Sequence, residues 1–87
     1  MKICVRFVGW PASLFGKSYV WLFFENSPII LRKLLEKLEL ETGIKINLKD
    51  PNLVVLINGK LAEFIGGLNA TLKDMDEVII TSISGGG

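Results

Sequence analysis

At 87 residues, with 49% hydrophobic and 22% charged side chains, a mean hydropathy of +0.44 and a net charge of +1, the chain suits one domain with one core. Its ten Lys/Arg and nine Asp/Glu are dispersed, which argues against a nucleic-acid footprint, and its longest apolar runs, 19–24 and 53–57, are far too short to span a membrane. One cysteine and no histidine exclude an internal disulfide, a cysteine metal or iron–sulfur cluster and any Cys-His or Ser-His catalytic pair.

Ile3, Val5 and Phe7 alternate with Lys2, Cys4 and Arg6, a period of two that predicts a first strand with one apolar face. Cys4 falls on the other parity and reads as a small hydrophobe that faces outward rather than as a reactive thiol. Gly9-Trp10-Pro11-Ala12-Ser13 reads as a break. Residues 19–24 are six β-formers in a row, so one parity set, Tyr19, Trp21 and Phe23 or Val20, Leu22 and Phe24, must point away from the core.

Ser27 followed by Pro28 is a helix-start signature, a hydroxyl cap before proline at the first helical position. Ile30, Leu31, Leu34, Leu35 and Leu38 recur at three- and four-residue spacing and Gly43 stands where a left-handed cap belongs, so a helix over 28–42 is expected. The pairs Arg32 with Glu36 and Lys37 with Glu41 form its solvated face. Asp50-Pro51-Asn52 opens the apolar strand 53–57, and Asn58-Gly59 predicts a two-residue hairpin turn because both positions need positive φ. A short strand at Lys60-Leu61-Ala62, an irregular point at Gly66-Gly67, a polar turn at 72–77 and a last strand over 77–84 complete the order. Met1-Lys2-Ile3 runs directly into strand-like sequence without a secretory pattern, so a cytoplasmic location is expected.

The chain closes on Gly85-Gly86-Gly87, a tail without side chains that ends in an α-carboxylate. Glycine lacks Cβ and tolerates any φ, so such a tail suits threading through a narrow cleft to be attacked at its end. The organisation expected is a domain over 1–84 followed by a tail over 85–87.

Two strands, one long helix and further strands, with a free tail after the last, is the order of the β-grasp fold: α+β, a mixed sheet of four to five strands curled around one main helix. Residues 56–87, with Ile57-Asn58-Gly59-Lys60, Gly66-Gly67-Leu68, Thr71-Leu72-Lys73-Asp74, Asp76-Glu77-Val78 and the closing Gly-Gly, resemble the MoaD-like small subunits of molybdopterin synthase and their ubiquitin-like sulfur-carrier relatives. Val5-Arg6-Phe7 and Leu14-Phe15-Gly16-Lys17 are similar to the start of that family. Ser82-Ile83 departs from the Pro-Pro of many relatives.

The resemblance implies a carrier rather than an enzyme. A ubiquitin-activating-type (MoeB-like) adenylyltransferase would use ATP and Mg²⁺ to adenylate Gly87, and a sulfur donor would leave a thiocarboxylate there, with Gly85 and Gly86 as the threading residues. The tail would then enter the catalytic large subunit (MoaE-like) of molybdopterin synthase. Transfer to a target lysine, as ubiquitin is transferred, or sulfur delivery to thiamine or tRNA would share these first steps. A β-grasp module with inert glycines is the reading from another class. For partner binding, the sheet face turned away from the helix should carry Val8, Thr81, Ile83 and one parity set of the second strand, with Leu61 nearby.

Overall fold

The computed structural model describes residues 1–83; the expected tail residues Gly85, Gly86 and Gly87 lie outside them, as does Ser84. Strand β1 (Lys2–Phe7) pairs antiparallel with β2 (Tyr19–Phe23) and parallel with β7 (Glu77–Ser82). On the far side of β7 lies β4 (Leu53–Ile57), antiparallel to it, and then the two-residue β5 (Lys60–Leu61). The sheet order β2-β1-β7-β4-β5 places β7 at the centre. This mixed five-stranded sheet against one main helix, α2 (Leu31–Thr42), is the expected β-grasp architecture.

Periodicity decides which residues form the core. Ile3, Val5 and Phe7 of β1, Leu22 of β2, Val55 and Ile57 of β4, and Val78 and Ile80 of β7 are all buried, as are Leu31, Leu34, Leu35 and Leu38 of α2. Alternate strand residues share a face and helical residues three or four apart share a stripe, so the two apolar sets meet. Asn58 and Gly59 take positive φ of 50° and 84°, as the predicted turn requires. The Asn58 side chain ties that turn to the start of β7: its Oδ1 accepts from the Glu77 N–H at 2.9 Å and its Nδ2 donates to Asp76 at 3.0 Å.

Three elements differ from the sequence expectation. The main helix begins at Leu31, not Pro28, because Ile29–Ile30 form strand β3, paired antiparallel with β6 (Thr71–Leu72) in a separate two-stranded sheet. Extended, β-branched Ile29 and Ile30 half-bury themselves in that ladder, and the Leu31 N–H donates to the Ala70 carbonyl at 2.9 Å. A distant main-chain acceptor thus does the work expected of the Ser27 hydroxyl. Ile30 is therefore outside the helix, and Leu72, expected at the start of the polar turn over 72–77, is in a strand.

The break after β1 is helix α1 (Trp10–Phe15), which has Pro11 in its first turn and a left-handed Gly16 at its end whose N–H donates to Ala12 at 2.9 Å. Its Phe15 is buried and stacks on Phe7, with ring centroids 4.1 Å apart. The third difference is Cys4, which is buried although its parity is the outward one. Its cross-strand neighbours, Trp21 of β2 and Glu77 of β7, are long enough to close over it.

Candidate functional site

The last described residues lie at one end of the central strand. β7 ends at Ser82, paired with Leu53, and Ile83 continues the path with its N–H donated to the Asn52 carbonyl at 3.1 Å. On the other flank the Val8 N–H donates to the Ile80 carbonyl at 3.0 Å, extending the parallel ladder one residue beyond β1. The end of β7 is thus held on both sides, by Asn52 just before β4 and by Val8 just after β1. Ser82 is the one buried polar side chain among the described residues, and its Oγ has no hydrogen-bond partner there.

Of the four expected partner-binding residues, two line one groove and two do not. Ile83, 68% exposed, and Leu61, half-buried, both line a groove of about 410 Å³ with Leu48 and Leu53, edged by the charged Lys49, Asp50 and Glu63. Val8, 49% exposed, stands on the opposite flank of β7 and does not line that groove. Thr81 is half-buried on the same strand face as Glu77 and Ile79, and its register partner is Val54. The residues expected as one patch therefore divide into a groove on the β4 side and a shoulder on the β1 side.

The parity of the second strand, open in the sequence, is decided: Tyr19, Trp21 and Phe23 are exposed and Leu22 is buried. Basic side chains of β1 lie over the rings, Lys2 Nζ 5.0 Å from the Trp21 centroid and the Arg6 guanidinium 5.8 Å from that of Tyr19. Arg6 Nε also donates to Glu77 Oε2 at 2.7 Å, and this hydrogen bond is the main cause that raises the Arg6 pKa above its ordinary value. The open face thus carries an aromatic and basic band on β2 and β1 beside an aliphatic one on β7 and β4.

Sequence reasoning missed the groove residues Leu48 and Leu53 and the exposed trio Phe64, Ile65 and Leu68. The trio sits in and around two 3₁₀ turns, Ala62–Phe64 and Gly67–Asn69, where apolar residues beside Gly66-Gly67 were the available signal. Among the described residues, no three His, Cys, Asp or Glu side chains converge to hold a metal, and no helix is long and apolar enough to cross a membrane.

Solved structures share the fold. The small archaeal modifier protein 1 of Methanosarcina acetivorans matches with a TM-score of 0.75 at 21% identity, over 99% of this chain and 96% of that one. A putative molybdopterin converting factor, subunit 1, from Pyrococcus furiosus matches at 0.72 and 16% identity, over 94% and 97%. Urm1 from Trypanosoma brucei matches at 0.64 and 23% identity, over 93% and 90%. No curated protein matches the chain significantly in sequence. The sequence profile of the ThiS family matches residues 5–87, nearly the whole chain, and with the β-grasp sheet the conclusion is plain: the chain belongs to the ThiS family of ubiquitin-like sulfur carriers.

Proposed function

We propose that Gly87 is the reactive residue and that the chain carries sulfur for molybdopterin formation. The observation that carries the reading is the family match, which runs through to residue 87, together with a central strand that ends at Ser82 and is gripped on both flanks. A carboxylate is a poor electrophile, and this sequence has no histidine to activate it. An adenylyltransferase partner, the type with which the family's carriers work, supplies the activation. A Gly87 carboxylate oxygen attacks the α-phosphate of ATP and pyrophosphate leaves. A sulfide-level nucleophile (HS⁻) then attacks the acyl carbon, the C–O bond to the phosphate breaks and AMP leaves, which gives the thiocarboxylate and a proton. Where the donor is a persulfide, an acyl disulfide forms first and a thiol cleaves its S–S bond, leaving the thiocarboxylate and a disulfide. The MoeB-like activating enzyme and the MoaE-like catalytic subunit belong to this proposal, the second because it would supply the catalytic groups that take the sulfur to the pterin precursor. Both act in a cytoplasmic setting.

The test is intact mass spectrometry after incubation with ATP, Mg²⁺, activating enzyme and a sulfur source. The full chain gains the mass of sulfur in place of oxygen, and a chain ending at Gly85 stays unchanged. If the chain ending at Gly85 is thiolated at the normal rate, the reading is wrong. Gly86→Val blocks the reaction because a β-branched side chain does not follow glycine through a narrow channel.

Relatives of the same fold named as modifier proteins favour a second reading, in which the same acyl adenylate passes to a lysine. The two separate on the acceptor. Product formed from the pterin precursor with the catalytic subunit supports the first, and lysine conjugates without such product support the second.

A further inference from the structure

The two edges of the sheet are unlike. β5 is two residues long, carries Lys60 and runs into a 3₁₀ turn, which are the usual means of blunting an edge. β2 is five residues long, uncharged and free of proline, and its register against β1 is unbroken. No such guard protects it.

The hydrogen bonds at its ends show which main-chain groups remain open. Met1 and Phe24 exchange both bonds, at 2.7 and 2.9 Å, and the Phe7 N–H donates to Ser18 at 2.9 Å. In an antiparallel ladder bonded pairs alternate, so Ser18, Val20, Leu22 and Phe24 turn their main chain to β1, while Tyr19, Trp21 and Phe23 turn theirs to the free edge. Those same three residues expose their rings on the open face. Edge polar groups and aromatic surface therefore coincide on one uncharged segment.

We propose that this edge pairs with the same edge of a second copy, antiparallel and centred on Trp21, so that two five-stranded sheets become one. The sequence flanking β2 is complementary to itself in that register. Tyr19 faces Phe23 of the second copy, Val20 faces Leu22, and exposed Lys17 meets exposed Glu25 at both ends. A pairing shifted by two residues loses the match of charges. The two-fold axis stands perpendicular to the sheet at Trp21, an isologous contact that closes on itself. Both α2 helices then lie on one side. The tail roots stay clear, because β7 is separated from β2 by β1 and the axis sends the two roots to opposite ends. The contact is small, so the dimer is weak and depends on concentration.

Sedimentation equilibrium up to about 1 mM, where even a weak association is populated, tests this together with amide hydrogen exchange. The expected result is a monomer–dimer equilibrium in which protection of the Tyr19, Trp21 and Phe23 amides rises with concentration. Trp21→Pro removes a main-chain donor that β1 does not use, so the monomer keeps its circular dichroism and loses the dimer. Lys17→Glu sets like charges at both ends and weakens dimerisation by about ten-fold, as two repelling surface pairs would, and adding Glu25→Lys restores it. A chain that stays monomeric throughout, a dimer that survives Trp21→Pro, or a dimer indifferent to Lys17→Glu overturns the proposal. So does an edge protected only when an activating enzyme is added, which assigns it to that partner.

Discussion

On β7, Val78 and Ile80 are sealed against the helix while Ile79 and Thr81, one residue away on the same strand, lie half-buried on the open face, and β1 divides likewise between Ile3, Val5, Phe7 and Lys2, Arg6. The covered face is almost uniformly aliphatic. The open face mixes rings, cations and aliphatic groups. Because alternate residues of a strand point to opposite sides, one short segment holds stability on one side and recognition on the other. A member of a family whose carriers work with activating and catalytic partners gains from this, since its outer face can be altered without unsettling its core.

The largest effects belong to the covered face. Leu34→Ala and Ile80→Ala should each cost about 2–5 kcal/mol, the usual cost of emptying such a space in a core, measured by urea unfolding. Thr81→Ala, the next residue on the other face, should cost less than about 1 kcal/mol, as substitutions away from the core do. Equal losses at residues 80 and 81 would break the comparison.

Next come the open-face residues at the end of β7. Val8→Asp and Ile83→Asp should each weaken binding to the activating enzyme by about 2 kcal/mol, in the range of interface hot spots, with the melting temperature unchanged. Calorimetric titration decides it. Full affinity in Ile83→Asp but not in Val8→Asp would place the contact on the β1 shoulder and leave the groove to another partner.

Turn geometry should give intermediate losses. Gly59→Val, at φ +84°, and Gly66→Ala, where a Cβ would stand 2.9 Å from the Ala70 nitrogen at φ +125°, should each cost about 1–3 kcal/mol of folding stability. Unchanged unfolding curves would show that these turns relax. The smallest effect is expected at Arg6→Ala, which removes a solvated contact to Glu77 and leaves the melting temperature where it is.

Much of this molecule could be read from its residues. Alternation in β1 and β7, the leucine spacing of α2 and the Asn58-Gly59 turn each depend on a local period or on a φ that few residues adopt, so short stretches of sequence carried them. The family was also legible, from the order of weak motifs across 56–87. The candidate patch was legible only in part. Val8, Thr81 and Ile83 were reached by parity and Leu61 by nearness, but Leu48 and Leu53 joined Leu61 and Ile83 only when β4 closed beside β7.

What the sequence determined by itself is the set of faces: which residues alternate and which leucines stripe the helix. Tertiary structure decided the rest. It moved the helix start to Leu31, because the Ala70 carbonyl and the Thr71–Leu72 strand competed better for Ile29, Ile30 and the Leu31 N–H than the Ser27 cap did. It also buried Cys4 on the face its parity turns outward and chose Tyr19, Trp21 and Phe23 as the outer set of β2. In each case the deciding partner lies far away along the chain, and a residue's local pattern holds no information about a neighbour that only folding brings to it.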